Sequence, residues 1–210
     1  MLRITAPEEF SEECRAAALS AWEQLNAYAL RQPAFRSSKT PIEVPDDAPA
    51  IVREMVAAST AAGVGPAYTT HGAVTDHVGR YLARVLPEVM VTAAGDYYIR
   101  SRKRLKLGLH PSGGAANGLS LVVDPRRGTQ GVFTSSTEIR LPAQSVDMMA
   151  VLASSCVLAD AAAAAVMAIL SRPRSFRSAL AYVRRMEGVQ GAVVVQGRRI
   201  GIAGAVELAA

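Results

Sequence analysis

The chain has 210 residues, half of them hydrophobic and a fifth charged, a balance that supports a buried core and is far from the apolar-poor profile of disordered chains. Two cysteines, Cys14 and Cys156, exclude a disulfide framework or a thiolate metal cluster. The net charge of +5 is dispersed over residues 100–106, 126–127, 172–185 and 198–199, and aromatics are only 5%, which argues against nucleic acid and for a small anionic ligand. No apolar run is long enough to cross a bilayer, and the opening MLRITAPEEFSEEC carries acidic residues where an export signal needs an apolar stretch. A cytoplasmic protein without a membrane span is expected.

In chain order, residues 7–31 read as one amphipathic helix, because Phe10, Cys14, Ala17, Ala18, Trp22, Leu25, Tyr28 and Leu30 recur mostly at helical spacing behind an acidic first turn. Pro33, Pro41, Pro45 and Pro49 then break regular structure, so 35–47 reads as a surface connector. A second helix is expected over about 49–62, with proline in its first turn and Gly63 stopping it, and a third over 69–86, ended by Pro87. From Val89 the texture becomes β: VMVTAAG, DYYIRS, RLKLGLH, LSLVVD, GVFTS and VDMMAVLAS are short β-prone runs that predict five or six strands of a mostly antiparallel sheet. A strongly apolar helix over 154–171, a basic helix over 175–186 and a hairpin around Gln196-Gly197 complete the chain. The order predicts an α+β layered domain over 1–210, with 1–45 as a helical extension and connector.

Asp160 is the only charged residue between Asp147 and Arg172, inside SSCVLADAAAAAVMAIL. A carboxylate in so apolar a helix must be paired, hydrogen-bonded or bound to a cation. Two readings stand: a helix-start carboxylate satisfied by backbone N–H groups near Ser154 and Ser155, or a ligand of a hard cation. His71 sits at a glycine-rich helix entrance, where an imidazole is either a general acid or base or simply solvated. It does not share a metal face with His77, since six helical residues rotate by about 240°. Gly95-Asp96 and Asp124-Pro125 with Gly128 are also good turn sequences in their own right. Cys156 reads as a small buried hydrophobe. Zinc is not expected.

The stretches GDYYIR, NGLSLVVDPRRG and SVDMMAVLASSCVLADAAAAAVMAIL, in that order, resemble the ApbE-like flavin-transferase superfamily. PAIVREMVAASTAAGVGPAYTTHG is similar to that superfamily's compact, uncharacterised branch, and the likeness covers residues 30–172. It implies an ApbE-like α+β fold and transfer of FMN from FAD to a threonine or serine of a target protein. It also implies a magnesium ion held by the helix aspartate, a threonine one turn later and backbone carbonyls. Carried over, the metal ligand is Asp160, while the threonine position holds Ala164. Gly95, Asp96 and Asp124 fall beside the flavin. Thr134, Ser135, Ser136 and Arg140 are candidate anion contacts, although the following 137–144 lacks the glycines of the compact branch. His71 and Asp96 are the candidate acid–base groups.

The expectation is therefore an ApbE-like enzyme for a flavin (FAD or FMN) or a similar aromatic, anionic cofactor. Magnesium is weakened by Ala164, and the departures argue against full flavin-transferase activity. The alternatives are a flavin-free cofactor-biosynthetic or aromatic-acid enzyme on the same scaffold, with a pterin-type ligand for example, or a non-catalytic binding or assembly subunit. A homo-oligomer through the Met-rich residues 146–151 and the apolar terminal hairpin is also expected.

Overall fold

The computed structural model describes residues 2–5, 10–110, 118–135 and 146–209. The chain begins with strand β1 (Leu2–Thr5), followed by helices α1 (Ser11–Arg31), a short α2 (Ala34–Ser37), α3 (Ala50–Ala61) and α4 (Thr70–Leu82). Strands β2 (Val89–Ala93), β3 (Asp96–Arg100), β4 (Leu105–Gly108), β5 (Ser120–Val123), β6 (Gln130–Thr134) and β7 (Met148–Ala153) come next. Helices α5 (Cys156–Leu170) and α6 (Phe176–Val183) precede β8 (Val189–Gln196), β9 (Arg199–Gly204) and the short β10 (Leu208–Ala209).

The readings of the segment after Pro33 and of the third helix need correction. The segment after Pro33 is more than a surface connector: Phe35 is buried and meets the Tyr28 ring edge-on, with centroids 5.3 Å apart at 82°. The third helix closes four residues early, at Leu82. Pro87 disfavours helical geometry at the residue before it, and the Arg100 guanidinium takes the freed carbonyl of Ala83 at 2.5 Å.

The strands divide into two antiparallel sheets rather than one. Seven run in the order β1-β2-β3-β6-β7-β8-β9, and three in the order β10-β5-β4. β1, placed in the sequence within a helical extension, is instead an edge strand, with Leu2 opposite Ala93. Alternation along the strands explains the layering. Met149, Val151 and Ala153 of β7, with Ala192 and Val194 of β8, face a core shared with α3, α5 and α6. Met148, Ala150 and Leu152, with Val193 and Val195, face the other way, onto Leu121 and Val123 of the small sheet. β7 is therefore buried on both faces, which is why its sequence is apolar at every position. The Met-rich run expected at an oligomer surface is core: Met148 and Met149 are sealed inside the chain.

Candidate functional site

α4 and α5 hold each other by their N-termini. Asp76, in the middle of α4, accepts the backbone N–H groups of Cys156 (3.0 Å) and Val157 (2.9 Å) at the start of α5. Asp160, one turn into α5, accepts the N–H of Gly72 in the first turn of α4 at 3.0 Å. Each carboxylate fills donors that a helix start leaves without an intrahelical partner and complements the positive end of the dipole. Ser155 supplies the remaining cap of α5, its Oγ accepting from the Leu158 N–H. The backbones approach closely because glycine permits it. A Cβ on Gly72 would lie 2.5 Å from the Cys156 carbonyl oxygen, and one on Gly131 of β6 only 2.0 Å from the Ser155 carbonyl carbon.

Asp160 thus binds a helix-start N–H, but that of α4. The donors near Ser154 and Ser155, expected to serve it, are served by Asp76 instead. Asp76 went unnoticed in the sequence, although the signal used for Asp160 was there: a carboxylate on the apolar face of a helix, flanked at helical spacing by Gly72 and Gly79.

The third carboxyl group is Asp96. Ala93 and Asp96 pair across a two-residue turn, and both turn residues, Ala94 (φ 50) and Gly95 (φ 96), are left-handed, as the tightest hairpins require. Thr134 fastens this turn to the end of β6, its N–H and its Oγ1 both donating to the Gly95 carbonyl, at 2.7 and 3.1 Å. Ser135 continues the clasp, its Oγ accepting from the Met149 N–H at 3.0 Å. The first residue of β3, Asp96, shares the helix-facing side of the strand with Tyr98.

Asp76, Asp96 and Asp160 are 1%, 1% and 7% exposed. Burial raises the pKa of each. Asp96 goes well above the usual carboxylate range, through burial and then the charges of Asp160 and Asp76. Asp160 rises to about 7, burial outweighing the Gly72 hydrogen bond. Asp96 Oδ1 has no hydrogen-bond partner among the described residues. Burial and the neighbouring charges push Asp96 toward its protonated form, and it alone of the three has neither a helix N-terminus nor a donor to that oxygen to oppose them.

Gly95, Asp96, Thr134, Ser135 and Asp160 therefore converge on one end of β3 and β6. Asp124 does not. It stands at the other end of β6, where Gln130 Nε2 donates to its carbonyl at 2.7 Å, about four residues or 13 Å of strand away. There it caps the 3-10 turn Pro125–Arg127 and receives the Arg126 guanidinium, an arrangement that holds its carboxyl well below the usual range. His71 precedes Gly72 at the start of α4, exposed, with a pKa lowered by partial burial; no hydrogen bond joins it to the carboxyl groups among the described residues. Ser136 and Arg140 lie outside the described residues.

Among the described residues no three His, Cys, Asp or Glu side chains form a metal-binding group, and Ala164 offers no side-chain oxygen. The fit to a hard cation rests on two carboxyls: Asp160, and Asp96 with its orphaned buried oxygen. No helix of the described residues is long and apolar enough to cross a membrane.

The model of the family described as AbpE bacteria matches residues 1–196. The UPF0280 protein of Methanopyrus kandleri is 30% identical over 215 residues, covering 97% of this chain and 85% of that protein. The UPF0280 protein of Methanosarcina acetivorans is 28% identical over 186 residues, covering 87% and 74%. Among solved structures, the flavin transferase ApbE from Vibrio cholerae superposes with a TM-score of 0.57 at 13% identity, over 97% of this chain and 93% of that one. The apo flavinyl transferase ApbE of Pseudomonas stutzeri gives 0.59 at 17%, over 95% and 86%. The α+β architecture is thus that of the ApbE proteins, and this chain belongs to the family described as AbpE bacteria, with UPF0280 proteins among its relatives.

Proposed function

We propose that the chain acts as one ApbE-like unit in the cytoplasm, binding a flavin (FAD or FMN) or a similar aromatic, anionic cofactor, with Asp96 and Asp160 as the chemical centre. The observation that carries this reading is the sealed, unpartnered Oδ1 of Asp96 beside Asp160. Natural chains rarely retain such a group without a use for it. The flavin is suggested by the names of the structural neighbours. A magnesium ion would be held by Asp96 and Asp160 and would supply Lewis-acid charge to a diphosphate. The chain's own contributions are distinct. Gly72 fixes Asp160 in one orientation, Thr134 holds the Gly95 turn, and Asp96, pushed toward its protonated form by burial, is the group that gives up or takes a proton. His71 is a second acid–base candidate at the exposed start of α4.

The test is the melting temperature with FAD, FMN and Mg²⁺, which must rise for any ligand of the native state. Calorimetry in two buffers of different ionisation enthalpy should show protons released when Mg²⁺ binds, since the cation displaces the proton of Asp96. Asp96→Asn should remove both responses, and Ala164→Thr should tighten Mg²⁺. A chain that responds to neither flavin nor Mg²⁺ refutes the reading.

Ala164 favours a second reading, in which the same carboxyl groups perform acid–base chemistry on a pterin or an aromatic acid without metal. Asp96→Asn would then abolish turnover, while chelators would leave it unchanged. A second copy of the chain would meet the exposed Ile200 and Ile202 of the terminal hairpin; a monomer by light scattering refutes that assignment.

A further inference from the structure

Two basic groups that are separate in the sequence, residues 100–106 and 126–127, meet at the end of β3 and β6 remote from Asp96. Between their turns lies a cleft of about 390 Å³, lined by Arg100, Ser101, Arg102, Pro125, Gly128 and Thr129, within the size range of small-ligand sites. No carboxylate lines it. The two nearby acids are committed elsewhere. Glu88 accepts the Arg102 N–H at 2.8 Å and the Ser101 hydroxyl at 3.2 Å, which fixes the turn. Asp124 is occupied by Arg126. The other arginines are committed too, Arg127 to Gln190 and Arg104 to Glu207. Arg100 uses one of its donors on Ala83, leaving the rest of its fork. The Arg102 guanidinium makes no hydrogen bond among the described residues, although its backbone is held. At the opposite wall Gly128 is left-handed (φ 74), and nothing lies within 4 Å of where a Cβ would stand, so its backbone is open to close approach.

We propose that this cleft binds a small, multiply charged phosphate anion, received by the Arg100 and Arg102 guanidiniums across from the open Gly128 backbone. Two guanidiniums on one cleft wall, with Glu88 turned to the backbone N–H of Arg102 and the Ser101 hydroxyl, match a dianion or higher, and their planar forks suit phosphate oxygens. The site is independent of the Asp96 centre.

Inorganic pyrophosphate titrated into the full chain by calorimetry at low salt should give one saturable site. Arg102→Glu should weaken it by about tenfold or more, because the side chain serves the ligand and not the fold. Lys103→Glu makes the same charge change on the same turn but outside the lining, and should weaken binding by no more than about threefold, the share of diffuse charge. Asp96→Asn should leave it unchanged. Absence of saturable binding overturns the proposal, as does an equal loss in the two charge-reversal variants. So does a single-stranded oligonucleotide that displaces pyrophosphate with a steep salt dependence, which would mark a diffuse polyanion face instead of a site.

Discussion

Three carboxyl groups buried against one another cannot all be ionised at low cost, and the partners of each decide which one stays neutral. Asp76 has two helix N–H groups and Asp160 has one, whereas Asp96 Oδ1 has none. In the unfolded chain all three titrate near pH 4. Folding raises Asp96 well above that and Asp160 to about 7. The native state therefore binds more protons than the unfolded state above about pH 4, and stability falls as pH rises through about 7. Urea unfolding between pH 5 and 8 should show that decline. Asp96→Asn, which keeps the shape without the acid, should flatten it and raise stability at pH 8; an unchanged slope would mean that Asp96 is already ionised in the native protein. Asp76→Ala behaves oppositely. It strands two buried N–H groups at the start of α5 and should destabilise by roughly 2–4 kcal/mol. Chemical denaturation with little or no loss would show that water replaces the carboxylate.

Elements here are positioned by small residues at close approaches. Ala94 occupies a left-handed turn position (φ 50) beside Gly95, and a Cβ in that region costs about 1–2 kcal/mol. Ala94→Gly should accordingly stabilise the protein by about 1 kcal/mol, less the backbone entropy that glycine adds to the unfolded chain. A lower melting midpoint would show that the turn gains nothing from relaxation. Gly131 presents the reverse case, since a methyl group there meets the backbone of Ser155 and Cys156. Gly131→Ala should cost about 1–3 kcal/mol or more, because backbone cannot move aside as a flexible side chain does. It should also disturb the Asp96 centre by displacing α5, visible as a changed pH slope of stability.

At the scale of the whole molecule, the seven-stranded sheet is covered by helices on one face and by the three-stranded sheet on the other. That second cover makes β7 a fully buried strand. Leu121 lies at the centre of the second layer, 1% exposed against the β7 face. Leu121→Ala should cost about 2–5 kcal/mol by lost transfer energy and a residual cavity. A loss of less than about 1 kcal/mol would mean that the small sheet collapses onto the void, or contributes little to stability. With both methionines of β7 sealed inside, any association of copies must use another surface, such as Ile200 and Ile202 at the β9 edge.

The sequence by itself determined what depends on neighbours along the chain. Helical periodicity marked α1, a proline start and a glycine stop marked α3, an unbroken apolar run marked α5, β-prone runs between turn residues marked β2 to β9 but not β1 or β10, and the isolated charge of Asp160 singled out a residue of the carboxyl centre. The ApbE resemblance located Gly95-Asp96 on residues that do meet it. Tertiary structure decided everything that depends on which segments touch. It recruited Asp76, whose donors lie on α5, far along the chain. It split β4 and β5 from the main sheet, because local β propensity does not encode which strand pairs with which. It set Asp124 at the far end of β6, where it caps a turn as its sequence suggests, although the resemblance had placed it with Gly95 beside the flavin. Local pattern records the burial each residue needs; only the packed chain assigns the partner that supplies it.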